Sequence, residues 1–216
     1  MLLYTIIVCT NSVYSLASLF LPVVFREKDI PGFWVGLVFA MYSIAGMIVS
    51  PVIGKILHRI GSSNTIAIGL VIMGLSIMPL SYLAEMENDS SSLALALLLR
   101  AMQGTASASI NTTCFGMAAN KYSDQTQFMM GMLEGVSGIG LVIGLMGGSL
   151  VYESMGYEAV FLTFGGLLLL MALISRLIFS CLERRVEIAV EGPEHSEQLL
   201  EERQSQSSGD GQSDER

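Results

Sequence analysis

Charge is what this 216-residue chain has least of: Asp, Glu, Lys and Arg make up 14% of it, where a water-soluble domain carries about a quarter. Histidine occurs twice and cysteine three times. Cys9, Cys114 and Cys181 stand singly in or at the edge of apolar runs, with no CxxC pair and no His/Cys cluster, so neither a zinc site nor a disulfide framework is indicated. No metal ligand set and no cofactor is implied. A basic stripe is missing, which argues against nucleic acid as a partner. So is a Gly-x-x-x-x-Gly-Lys-Ser/Thr loop, which argues against ATP-driven work.

What is present is apolar: 52% of residues, with a mean hydropathy of +0.60. Residues 1–182 hold 7 Lys/Arg against 9 Asp/Glu, whereas residues 183–216 hold 4 against 10. Most of the net charge of −8 therefore sits in the last 34 residues, from 183 to 216. That segment is rich in Glu, Gln, Ser and Gly, contains His195, and cannot bury enough surface to offset its ordering entropy. It reads as a mostly disordered acidic tail behind a long apolar body.

A hydrocarbon core about 30 Å thick is crossed by roughly 20 apolar helical residues. Six such runs are present, at about 2–25, 33–57, 65–84, 93–119, 129–151 and 159–182. Backbone groups in lipid must be satisfied within the segment, so these runs read as helices. The fold class is an all-α membrane protein of six spans, with the lipid bilayer as its first partner. The opening run lacks a basic start and is too long for a signal-peptide core.

Orientation follows the excess of Lys and Arg in short cytosolic loops. With the N-terminus in the cytosol, Lys55, Arg59, Lys121, Arg184 and Arg185 share that side, against Arg26 and Lys28 opposite. Both termini are therefore expected in the cytosol. Whether the membrane is the plasma membrane or that of a vesicle is not encoded.

A weak self-similarity links the second and fifth runs at an offset of 94: Gly46, Ser50 and Gly54 recur as Gly140, Gly144 and Gly148. Small residues every fourth position let helix backbones approach closely, although glycine is also common in membrane helices generally. His58-Arg59 follows the first copy and Tyr152-Glu153 the second. A basic end and an acidic end suit two three-helix units inserted in opposite directions, an arrangement of secondary transporters.

The motifs then resemble the major facilitator superfamily over nearly all of residues 1–182. Its loop between the second and third helices, Gly-x-Leu-Ala-Asp-Arg-x-Gly, is similar to Gly54-Lys55-Ile56-Leu57-His58-Arg59-Ile60-Gly61, with His58 replacing the acidic residue. Its fourth-helix Arg-x-x-Gln-Gly matches Arg100-Ala101-Met102-Gln103-Gly104. The fifth-helix pattern of its proton-driven antiporters resembles Gly140 to Gly148, including the pair Gly147-Gly148 but lacking the proline. The stretch from Leu133-Glu134-Gly135 to Gly156-Tyr157-Glu158 looks most like the vesicular amine and polyamine transporter branch.

The resemblance implies alternating-access transport of a small organic solute, in that branch an organic cation exchanged for protons. It also implies a twelve-helix whole, so six spans look like an N-terminal half: a truncated gene model, a shortened isoform, or a half that pairs with a second half or with its own copy. The Gly54–Gly61 segment, including His58 and Arg59, would serve as the cytosolic gate latch, left neutral or positive by His58.

Charges inside spans are costly and usually face a cavity or a partner. Arg100 is a candidate for holding an anion or proton-coupling carboxylates, with Gln103 beside it. Glu134 is a candidate proton or cation acceptor, or equally an interfacial carboxylate with no transport role. The first run offers Thr10 and Asn11 where cation-exporting relatives carry an acidic residue, which weakens the expectation of a cationic substrate. Asn11, Ser12, Tyr14 and Ser15, and the polar stretch Ser107, Ser109, Asn111, Thr112 and Thr113, line either a cavity or helix contacts. An enzyme reading rests on Gly135-Val136-Ser137-Gly138, a string in which intramembrane proteases display a serine. The histidine base such a serine needs is absent from every span. A non-transporting six-helix scaffold is the alternative.

Overall fold

The structure is a computed structural model that describes residues 2–86, 88–121 and 125–181, the side chains of His58 and Lys121 excepted. The acidic tail from 183 lies outside the described residues. Six helices are long and apolar enough to cross a membrane, with window hydropathies of 1.3 to 2.1. They are α1 (Leu2–Glu27), α2 (Gly32–Ile60), α3 (Ser62–Ile77), α4 (Asp89–Lys121), α5 (Thr126–Met155) and α6 (Tyr157–Cys181). No strand occurs among the described residues. The third span differs in kind from the expected single α-helix. Pro79 cannot donate a backbone hydrogen bond, and the chain tightens there into a 3-10 helix, Met78–Leu83.

The chain divides into two compact units, residues 1–176 and 177–216. Every contact below lies within the first. Of the second, the described part is the last turn of α6, with Leu177 and Ile178 exposed.

Small residues decide which helices meet. The main pairings are α2 with α4 and α1 with α5. On α5, Gly140, Gly144 and Gly148 are buried, and a Cβ on Gly140 would come within 2.7 Å of the Val8 carbonyl oxygen of α1. Side chains on Gly144 and Gly148 would overlap the Ser12 backbone and Leu16. Ser12 Oγ donates to the Gly140 carbonyl and Ser15 Oγ to that of Leu141, both at 2.8 Å. Thus Ser12 and Ser15 serve helix contact, whereas Asn11 turns its Nδ2 back to the Ile7 carbonyl of its own helix at 2.9 Å. Gly147 faces Phe164 of α6. On α2 the copy is partial: Gly46 abuts the Gly104 carbonyl and Ala108, but Gly54 has open space around it.

Exchanging α1 with α4, α2 with α5 and α3 with α6 turns one main pairing into the other. The third pair is its own image: a Cβ on Gly74 of α3 would lie 3.2 Å from the Gly165 oxygen of α6, and one on Gly165 3.3 Å from the Gly74 oxygen. The connections repeat as well. Gly61 alone joins α2 to α3 and Gly156 alone joins α5 to α6, with φ of +84° and +88°. The Gly61 N–H bonds to the Leu57 carbonyl at 3.0 Å and the Gly156 N–H to that of Tyr152 at 2.9 Å.

The expected loop at 54–61 is therefore helix as far as Ile60, because Ile56, Leu57 and Ile60 continue the helix and only Gly61 breaks it. With φ +84° and ψ 149°, Gly61 occupies a region essentially reserved for glycine. Gly61→Ala should cost about 2 kcal/mol in SDS-induced unfolding. Gly54→Ala, which meets nothing, should change stability by less than about 1 kcal/mol.

Candidate functional site around Arg100

Arg100 sits 11 residues into α4, roughly 16 Å along its axis, and is fully buried. Its guanidinium lies 4.8 Å from the Phe39 ring centroid, 5.8 Å from that of Tyr42 and 6.0 Å from that of Tyr14. Tyr14 of α1 and Tyr42 of α2 contact each other at 4.7 Å between centroids. Three ring faces from two helices thus surround one cation, each worth about 0.5–2 kcal/mol depending on desolvation.

Hydrogen bonding around Arg100 is incomplete. Nη1 donates to Oε1 of Gln103, one turn on, at 3.3 Å, and Gln103 Nε2 donates to the Ser76 carbonyl of α3 at 3.1 Å. Nε and Nη2 of Arg100 are buried with no partner among the described residues. A guanidinium carries five N–H donors, so most of its capacity is unused. No carboxylate meets it among the described residues. Glu134, the other charge expected deep in a span, is exposed on α5 and is not gathered into this cluster.

The approach of α2 is set by Gly104, whose missing side chain leaves room for the Tyr42 carbonyl. Arg100, Gln103 and Gly104 therefore act as a unit: the glycine admits α2 and its rings, the glutamine ties the guanidinium to α3, and the arginine faces them all. Farther along α4 the polar stretch mostly serves its own helix. Thr105, Ser109 and Thr113 bond to carbonyls four residues back, and Asn111 Nδ2 donates to Ser107 Oγ at 3.2 Å. The Asn111 Oδ1 is buried without a partner among the described residues.

Of the expected gate segment, Arg59 is exposed, Gly54 and Gly61 are placed as above, and the His58 side chain lies outside the described residues. Arg176 of α6 hydrogen-bonds Asn64 of α3 near this end. Tyr152 belongs to the other end: it lines a cavity with Glu27, Ala84 and Tyr157. The residues after the two copies of the glycine motif thus lie at opposite ends of the bundle. The ring faces at Phe39 and Tyr42 were not among the sequence candidates. Their only signal is aromatic residues at helical spacing on a run whose partner is unknown from sequence.

Comparison with known proteins identifies the family. The family described as Major Facilitator Superfamily matches residues 3–207. The MFS-type transporter SLC18B1 of Mus musculus is 28% identical over 158 residues, 73% of this chain and 34% of that protein. The synaptic vesicular amine transporter of Homo sapiens is 34% identical over 138 residues, 63% of this chain and 26% of its own. The chromaffin granule amine transporter of Homo sapiens is 32% identical over 148 residues, 68% and 26% respectively. The chain spans about a third of the first relative's length and about a quarter of the other two.

Proposed function

Because this chain belongs to the major facilitator superfamily, we propose that it forms one half of a secondary carrier that moves a small organic solute, with proton coupling, by alternating access. Family membership and its similarity to transporters support a multi-pass membrane protein with a transport role. The names of the amine transporters make amines, polyamines and drug-like amines the solutes to try first.

The observation that carries this reading is the buried Arg100 with two idle donor nitrogens at a junction of four helices. A buried charge without a counter-ion is expensive, and a fold retains one where an anion arrives during its working cycle. The arriving group is a carboxylate of the other half, since the amines to be tried first carry none. It would find the aromatic faces in place and displace few contacts. Glu134 and Asn11 remain candidates for handling the proton or solute, outside the Arg100 cluster. The lysine and arginine bias supports a cytosolic position for both termini. In a vesicle that holds this chain alone, the second half is a second copy.

Reconstitution of the full chain into liposomes, with radiolabelled spermidine and tyramine outside an acidic or neutral lumen, tests the proposal. Uptake should rise at least tenfold with the acidic lumen and vanish when a protonophore is added. A chain correctly folded in the vesicles that moves neither solute under either gradient would leave the scaffold reading.

A further inference from the structure

The end of the bundle away from Gly61 holds a second assembly of rings, unrelated to Arg100. Phe20 of α1 stacks on Tyr152 of α5 at 5.2 Å between centroids and 30° between planes. It meets Tyr157 of α6 edge-on, at 6.4 Å and 82°. Tyr157 is fixed by its hydroxyl, which donates to the Leu80 carbonyl at 3.1 Å, and by Phe161, 4.9 Å away. These three rings, with aliphatic side chains of α1, line a cavity of about 300 Å³. The lining includes one formal charge, Glu27.

Two stacked rings, a third set edge-on to Phe20, and one carboxylate in the same lining make a pocket suited to a positive charge. The ring faces attract a cation through their quadrupoles, best for a weakly hydrated quaternary or tertiary ammonium. The carboxylate supplies the counter-ion, and the volume falls at the small end of ligand pockets. The surrounding charge agrees in sign. The lining residues Ala84, Tyr152 and Tyr157 are each followed by a glutamate, Glu85, Glu153 and Glu158, while the basic neighbours are Arg26 and Lys28. Lys28 is engaged at the Met86 carbonyl. A rim with this excess of carboxylates concentrates cations at its mouth.

We propose that the Phe20–Tyr152–Tyr157 cavity is a binding site for a small organic ammonium ion, with Glu27 as its counter-ion. It stands apart from the Arg100 cluster and holds whether or not the chain transports anything alone. An apolar cavity of the same size would take a lipid or detergent tail instead, so charge is the property to test.

The test uses the full chain in detergent, titrated with choline and separately with its neutral isostere 3,3-dimethylbutan-1-ol, followed by calorimetry and thermal shift. Choline should bind in the millimolar range or better, and at least tenfold more tightly than the alcohol. Glu27→Gln should weaken choline about tenfold and leave the alcohol unchanged. Both Glu27 and Tyr152 are exposed, so Glu27→Gln and Tyr152→Leu keep the fold. Tyr152→Leu should weaken choline and, through the lost ring stack, lower the melting temperature of the ligand-free chain by about 2–4 °C. Equal binding of choline and the alcohol, or choline binding unchanged in both variants, would overturn the proposal.

Discussion

Gly104→Ala is expected to destabilise the bundle by about 3 kcal/mol or more, measured by SDS-induced unfolding, the largest effect of a single methyl group in this chain. The new Cβ would fall on the Tyr42 carbonyl and close to its neighbouring backbone atoms. A flexible side chain could move aside, but backbone inside α2 cannot without displacing the helix. The cost exceeds ordinary overpacking because α2 packs chiefly on α4, and displacing it gives up that pairing as well. In its most apolar window 6% of residues are buried, against 56% in α1. Displacement of α2 also carries Phe39 and Tyr42 away from Arg100. Gly104→Ala should therefore abolish uptake as well as lower stability, whereas Gly54→Ala should do neither. A Gly104→Ala protein as stable as the parent would show that α2 is not held by this contact.

Arg100→Met is expected to separate stability from activity. Removing the guanidinium relieves desolvation of a buried cation, several kcal/mol in the usual accounting. It forfeits three ring contacts, about 0.5–2 kcal/mol each, and leaves the Gln103 oxygen without its donor, a penalty of about 1–3 kcal/mol. These opposing contributions nearly cancel, so unfolding should stay within about 2 kcal/mol of the parent. Gradient-driven uptake should fall by at least 100-fold. Arg100→Lys should not restore it, because a compact ammonium lacks the planar fork that faces rings and bidentate acceptors at once. Loss of the folded bundle in Arg100→Met, with uptake retained by whatever folds, would make the arginine a structural brace and remove the main support for the carrier reading.

The six spans are legible in the sequence because lipid demands long apolar runs and little else. The packing of α5 is legible too, since Gly140, Gly144 and Gly148 declare a face that needs a neighbour. Gly54 carries the same signal and misleads: a Cβ there would meet nothing within 4 Å. The segment from Lys55 to Ile60 looks like a loop because it is charged, yet a helix leaving the membrane keeps its hydrogen bonds while exposing charge. Arg100 and Gln103 stand out as polar residues in an apolar run. Their surroundings do not, because the rings at positions 14, 39 and 42 come from other helices, and no pattern within one helix reveals a register between two. The second aromatic cavity is hidden for the same reason, being assembled from three helices and the connection at Ala84.

Gly61 and Gly156 leave no slack. A single residue between two spans, pinned to the preceding turn by its own N–H, ties each pair of rods into a hairpin of fixed offset. Sliding of α2 along α3, or of α5 along α6, would stretch a peptide that has nowhere to yield. Each hairpin therefore travels as one piece, whatever the rest of the bundle does.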